Sequence, residues 1–155
     1  MSGIRYEDYV AERVFRPAGM KGAGFFQSDR FPPDVASGYT RQSPDSPGRL
    51  RSNEQMHGAS SSGAGGAHAT AADLLAFDNA LRGRRLLHAK MTAWVLGSDS
   101  VAGDRAQGGI GIAGGAPGCN AIMESDGIWT VIVVGNLDPP NAPRVGLAIG
   151  RQLLR

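Results

Sequence analysis

Cysteine is nearly missing from this sequence: Cys119 is the only one among 155 residues. One thiol excludes an internal disulfide and leaves the redox compartment undetermined. Cys119 itself reads as a small buried apolar residue on a strand, because a nucleophilic thiol needs a histidine partner that the sequence does not place. Long apolar runs are also missing. No stretch approaches the roughly 18 residues of a membrane span, and the opening MSGIRYEDYV has no apolar core of a signal peptide. Neither Lys21 nor Lys90 follows the glycines of a phosphate-binding loop, there is no G-x-S-x-G elbow, and no internal repeat is visible. His57, His68 and His88 lie far apart with no metal-ligand spacing. Sixteen Lys and Arg against 14 Asp and Glu give a net charge of +2. The basic residues are scattered, and the densest groups, Arg49–Arg51 and Arg82–Arg84–Arg85, read as solvated surface rather than a phosphate-binding patch. No nucleic-acid partner, metal or cofactor is expected.

Glycine, by contrast, is abundant: 23 residues, twice the usual share of about 7%. Such a chain has many turns and close backbone approaches. One consequence is a lure. Gly109-Ile110-Gly111-Ile112-Ala113-Gly114 fits G-x-G-x-x-G, yet a dinucleotide loop follows a strand and opens a helix. Here GDRAQG precedes it and a β pattern follows, so the segment lacks the context of a nucleotide-binding loop.

An apolar content of 41% over 155 residues suits one domain, 1–155, with a core. Tyr6, Val10 and Val14 share one face of a helix predicted over 5–16, stopped by Pro17. Residues 18–41 read as irregular structure or short edge strands, and the Ser/Gly/Pro-rich 42–69, including Ser60-Ser61-Ser62, as a mobile loop. Thr70 caps a helix, with Asp73 completing an acidic capping box and Gly83 ending it. A further helix is predicted over 88–96. Gly109–Ala113 and Asn120–Ser125 read as strands, Asp126-Gly127 as a type I′ hairpin turn, and Ile128–Val134 as a buried central strand. Asn141 caps a last helix, with Pro143 in its first turn and Val145, Ile149 and Leu153 on one face. The order is that of an α+β fold, an antiparallel β-sheet flanked by helices.

Several segments then fall in a familiar order. YEDYVAERVFRPAGM looks like a helix and P-L-G-M turn with Ala18 for Leu; Val35–Tyr39 is similar to A-x-G-Y; Gly65–Leu74 looks like G-G-x-x-S-T-A-x-D-L; and Gly111–Gly118 with IWTVIVVGNLDPP resembles two strands bordering an active site. In this sequence and spacing the chain resembles the C-terminal portion of serine β-lactamase-like, or penicillin-binding-protein-like, hydrolases, which include class C β-lactamases, esterases and D,D-peptidases. The resemblance implies a partial β-lactamase/transpeptidase-like fold, acyl-serine hydrolysis of β-lactam, ester or peptide substrates, and a periplasmic or extracytoplasmic compartment.

That chemistry uses Ser-x-x-Lys, Tyr-x-Asn or Ser-x-Asn, and Lys-Thr-Gly or His-x-Gly. No Ser in this chain has Lys three residues on, and no Tyr or Ser has Asn two residues on; the resemblance places both motifs upstream of residue 1. The third falls at Ile112-Ala113-Gly114, where Ile112 replaces a side chain that would donate a hydrogen bond or carry charge. Gly114 and Gly115 read either as tight strand packing or as a remnant substrate-edge strand. Two functions follow: a hydrolase piece inactive by itself, or a non-catalytic module binding a peptidoglycan-like peptide or a partner chain. Both leave apolar surface that a second copy or a partner segment would cover.

Overall fold

The computed structural model describes residues 2–26, 31–42, 45, 47–54, 63–98 and 108–153. His57 and Ser60-Ser61-Ser62 lie outside them. The chain opens with α1 (Tyr6–Val10), a π-helical turn (Ala11–Phe15) and α2 (Arg16–Ala18). Pro17 therefore does not stop the helix. The wider turn comes just before it, Pro17 sits in the first positions of the last α turn, and Gly19 at φ +78° makes the left-handed cap. Phe15, Ala18 and Met20 from this segment form one small core with Ala80, and Phe25 and Phe77 pack against it.

Two ladders of minimal length follow: β1 (Gly24–Phe25) with β4 (Ala67–His68), and β2 (Tyr39–Thr40) with β3 (Arg51–Ser52), both antiparallel. The 42–69 segment predicted as one loop thus contributes two short strands, β3 and β4. Composition hid them because two-residue strands show no periodicity.

Thr70 caps α3 (Ala71–Arg82) as predicted. Its hydroxyl accepts from Asp73 N at 3.1 Å, while the Asp73 carboxylate accepts from Thr70 N at 2.9 Å. After α4 (Ala89–Val95) comes the main sheet, an antiparallel meander of β5 (Ile110–Ala116), β6 (Cys119–Ser125) and β7 (Thr130–Gly135) in the order β5-β6-β7. The strand predicted at Ile128–Val134 is thus at an edge of this sheet, and β6 is central. Ile128 and Trp129 belong to a four-residue turn: the Asp126 carboxylate accepts from both of their N–H groups at 2.8 Å, and the ladder begins again only at the Ser125–Thr130 pair. Of the predicted type I′ pair only Gly127 has positive φ, +95°. Cys119 lies on a strand as expected, but it is exposed, not buried.

Alternation divides the sheet. Asn120 and Ile122 point to the side of α5 (Asn141–Leu153), where Asn120 Oδ1 accepts from Ala142 N. Met123 and Ser125 point to the side of α3, where Ile110 joins the buried pair Leu81 and Leu96. α5 docks through Ala142, Gly146 and Gly150, all buried, and leaves Val145, Ile149 and Leu153 exposed at 50%, 40% and 37%. The aliphatic face read from the sequence is therefore the outer one. The reason is closeness: a Cβ on Gly146 would overlap Ile122 Cγ2. Asn141 is itself the first residue of α5, and its amide donates to Asp138 O at 2.9 Å.

Candidate active-site strand

The three positions singled out in the sequence, Ile112, Ala113 and Gly114, lie together in the middle of β5. That strand has β6 on one side only, and among the described residues its other edge is unpaired. Every residue of β5 except Ile110 is exposed, Ile112 at 53%. Register places Ile112 opposite Met123 and Gly114 opposite Ala121, on the α3 side of the sheet. The two glycines whose role was open separate here. A Cβ on Gly115 would come within 2.6 Å of Pro139 Cγ, so Gly115 is required by packing. Among the described residues a Cβ on Gly114 or Gly111 would meet nothing within 4 Å. Packing does not demand those two glycines, and they leave the strand bare.

Polar networks hold both ends of this bare strip. At the far end, the Asp138 carboxylate accepts from Arg41 N and from Gly118 N, each at 2.8 Å, and Asn53 Nδ2 donates to Pro117 O at 3.0 Å. Hydrogen bonds from Arg41 N, and then from Thr40 and Gly118 N, with the Arg41 charge, hold the Asp138 carboxyl below its ordinary value despite partial burial. Gly118 turns at φ +78° and fits against Asn53, where a Cβ would be 2.7 Å from Nδ2. At the near end, Arg82 Nη1 donates to Gly108 O at 2.8 Å, two residues before β5. The Arg82 side chain is wholly buried and paired with Asp78 at 2.9 Å. Arg82 was read from the sequence as solvated surface. Its Asp78 partner four residues earlier was visible as a helix pair, but nothing local signals burial.

The remaining sequence candidates stay apart. His68 packs against Phe26 and Phe31, with ring centroids 5.5 and 5.2 Å away, and His88 precedes α4. Among the described residues no three His, Cys, Asp or Glu side chains gather as a metal site, and no helix is long and apolar enough to cross a membrane. The G-x-G-x-x-G match runs into β5, and no helix follows it.

Residues 1–154 match the family model for β-lactamase. The chain belongs to the β-lactamase family. A solved penicillin binding protein from Bacillus halodurans superposes on this β-lactamase-family chain with a TM-score of 0.80 at 25% sequence identity, covering 98% of this chain and 50% of its own. No curated protein matches it. The chain thus spans half the length of the structure it resembles, and its helices and antiparallel sheets form a partial β-lactamase-like fold.

Proposed function

We propose that this chain is the substrate-edge portion of a serine acyl hydrolase, with β5 laying an extended acyl-peptide, ester or β-lactam substrate along its free edge. The observation that carries the reading is the bare edge of β5, open at Gly111 and Gly114 and pinned at both ends. An extended ligand can add to such an edge through main-chain hydrogen bonds, with no side chain in the way. Acyl transfer needs a hydroxyl whose proton passes to a neighbouring amine while its oxygen attacks the carbonyl carbon. No Ser-x-x-Lys supplies that pair in these 155 residues, so the chain alone is expected to bind and not to turn over. Incubation with a fluorescent penicillin, read by intact mass, should leave the protein unlabelled; a covalent adduct on any residue overturns the proposal.

Ile112 favours a second reading, a non-catalytic module that holds a peptidoglycan-like peptide or a partner chain, since its side chain can neither donate a hydrogen bond nor carry charge. Titration calorimetry with a D-alanyl-D-alanine-terminated tripeptide tests the binding that both readings require. Either way, the outer face of α5 is where a second copy or a complementary segment of the fold would pack.

A further inference from the structure

The near-end network reaches further than a helix pair. Arg82 Nε donates to Asp78 Oδ1 at 2.9 Å, Nη1 to Gly108 O at 2.8 Å, and Nη2 to Ser125 Oγ at 2.8 Å and Ser125 O at 3.5 Å. The second carboxylate oxygen of Asp78 accepts from Thr130 Oγ1 at 2.9 Å and from Ser125 Oγ at 3.3 Å. One guanidinium therefore joins α3, the last residue of β6 and the backbone leading into β5. Its flat fork of donors reaches acceptors in several directions at once, which a lysine ammonium on a single stem does not. Gly108 leads into β5 at φ +104°, and a Cβ there would overlap Leu96 O, so the backbone at this point is already confined. Among the described residues β5 has one neighbouring strand, Ile110 packs against the core, and Asp138, Asn53 and Pro139 hold its far end, so the near end is held by Arg82.

We propose that Arg82 is a positioning residue for β5, fixing the Gly108 carbonyl and so the placement of the free edge relative to β6. This rests on reading β5 as the ligand-bearing edge. A merely structural ion pair would stabilise α3, β6 and β7 and leave β5 no more dependent on Arg82 than they are. The two limbs of the network separate these roles. Arg82→Lys keeps a positive charge beside Asp78 and gives up the reach to Gly108. Ser125→Ala removes the β6 hydroxyl and leaves Arg82 on Gly108.

Residue-resolved hydrogen exchange on the 155-residue chain decides between them. In Arg82→Lys, the β5 amides bonded to β6 should exchange about tenfold faster while α5 amides keep their rates, because local opening need not involve the whole fold. In Ser125→Ala, β5 should stay within about twofold of the wild type. The affinity of Arg82→Lys for the D-alanyl-D-alanine tripeptide should fall about tenfold, in step with the loosened edge. Uniform acceleration across β5, β7 and α5, unchanged β5 exchange in Arg82→Lys, or equal loosening in Ser125→Ala would each overturn the proposal. If Arg82→Lys does not fold, the neutral double variant Asp78→Asn/Arg82→Gln takes its place with the same expected pattern. A wild-type chain that fails to bind the tripeptide removes the reading of β5 as a ligand edge, while the exchange comparison still decides whether Arg82 holds the strand.

Discussion

At the scale of single residues, the chain uses aspartates as clamps. Burial pushes the Asp73 carboxyl up, but hydrogen bonds from Thr70 N, Thr70 Oγ1 and Gly22 N outweigh it and leave the group below its ordinary value. Asp138 is held down in the same direction. A carboxyl whose folded value lies below its unfolded one stabilises the fold at all pH above the unfolded value, and that contribution disappears as pH falls through the folded value. Thermal midpoints should therefore be level from neutrality down to about pH 5 and fall below about pH 4, the ordinary aspartate range. Asp73→Asn should lower stability at neutral pH by about 1 kcal/mol, the usual worth of a helix cap, and should flatten the acid limb when melts are repeated across pH. An acid limb as steep as in the wild type would remove Asp73 from the explanation. Thr70 and Asp73 were legible in the sequence because capping is a local code three residues long. Asp78 and Arg82 were legible only as spacing. Their burial depends on Ser125 and Thr130, 43 to 52 residues away, and no local pattern carries that information.

At the scale of elements, α3, α4, β5, β6 and α5 stand close to where turn residues and periodicity place them. The errors share a cause. Periodicity shows that a segment has two faces without showing which one docks. α5 turns its small residues inward and its aliphatic residues outward, and β7 is a run of apolar residues at an edge. The placement of α5 leads to a prediction about Gly146. Replacing a helical glycine by alanine usually stabilises by up to about 1 kcal/mol. Here the added carbon would collide with Ile122 on β6, and overpacking costs about 1–3 kcal/mol. Gly146→Ala should therefore be destabilising, and Gly146→Val more so, in urea unfolding. A stabilised Gly146→Ala would show that α5 does not sit this close to the sheet.

At the scale of the whole molecule, the described residues form two modest clusters of buried apolar side chains and leave much apolar surface. Trp94, Ile128 and Trp129 are 75%, 79% and 52% exposed, and the outer stripe of α5 adds to them. Light scattering should show a dimer or larger species, and Ile149→Arg, placed on that stripe, should shift it toward monomer without lowering the melting midpoint by more than about 0.5 kcal/mol in equivalent stability. A wild-type chain that stays monomeric at high concentration would remove the need for a covering partner. The composition of β5 sets a limit on how indiscriminate such association can be. A long, flat, aliphatic border is a template for fibrils, but IGIAGGA offers a stray strand almost no side chains to interdigitate with. Accidental stacking on this border would gain backbone hydrogen bonds and little more, so the glycines of β5 limit what a stray strand can gain there.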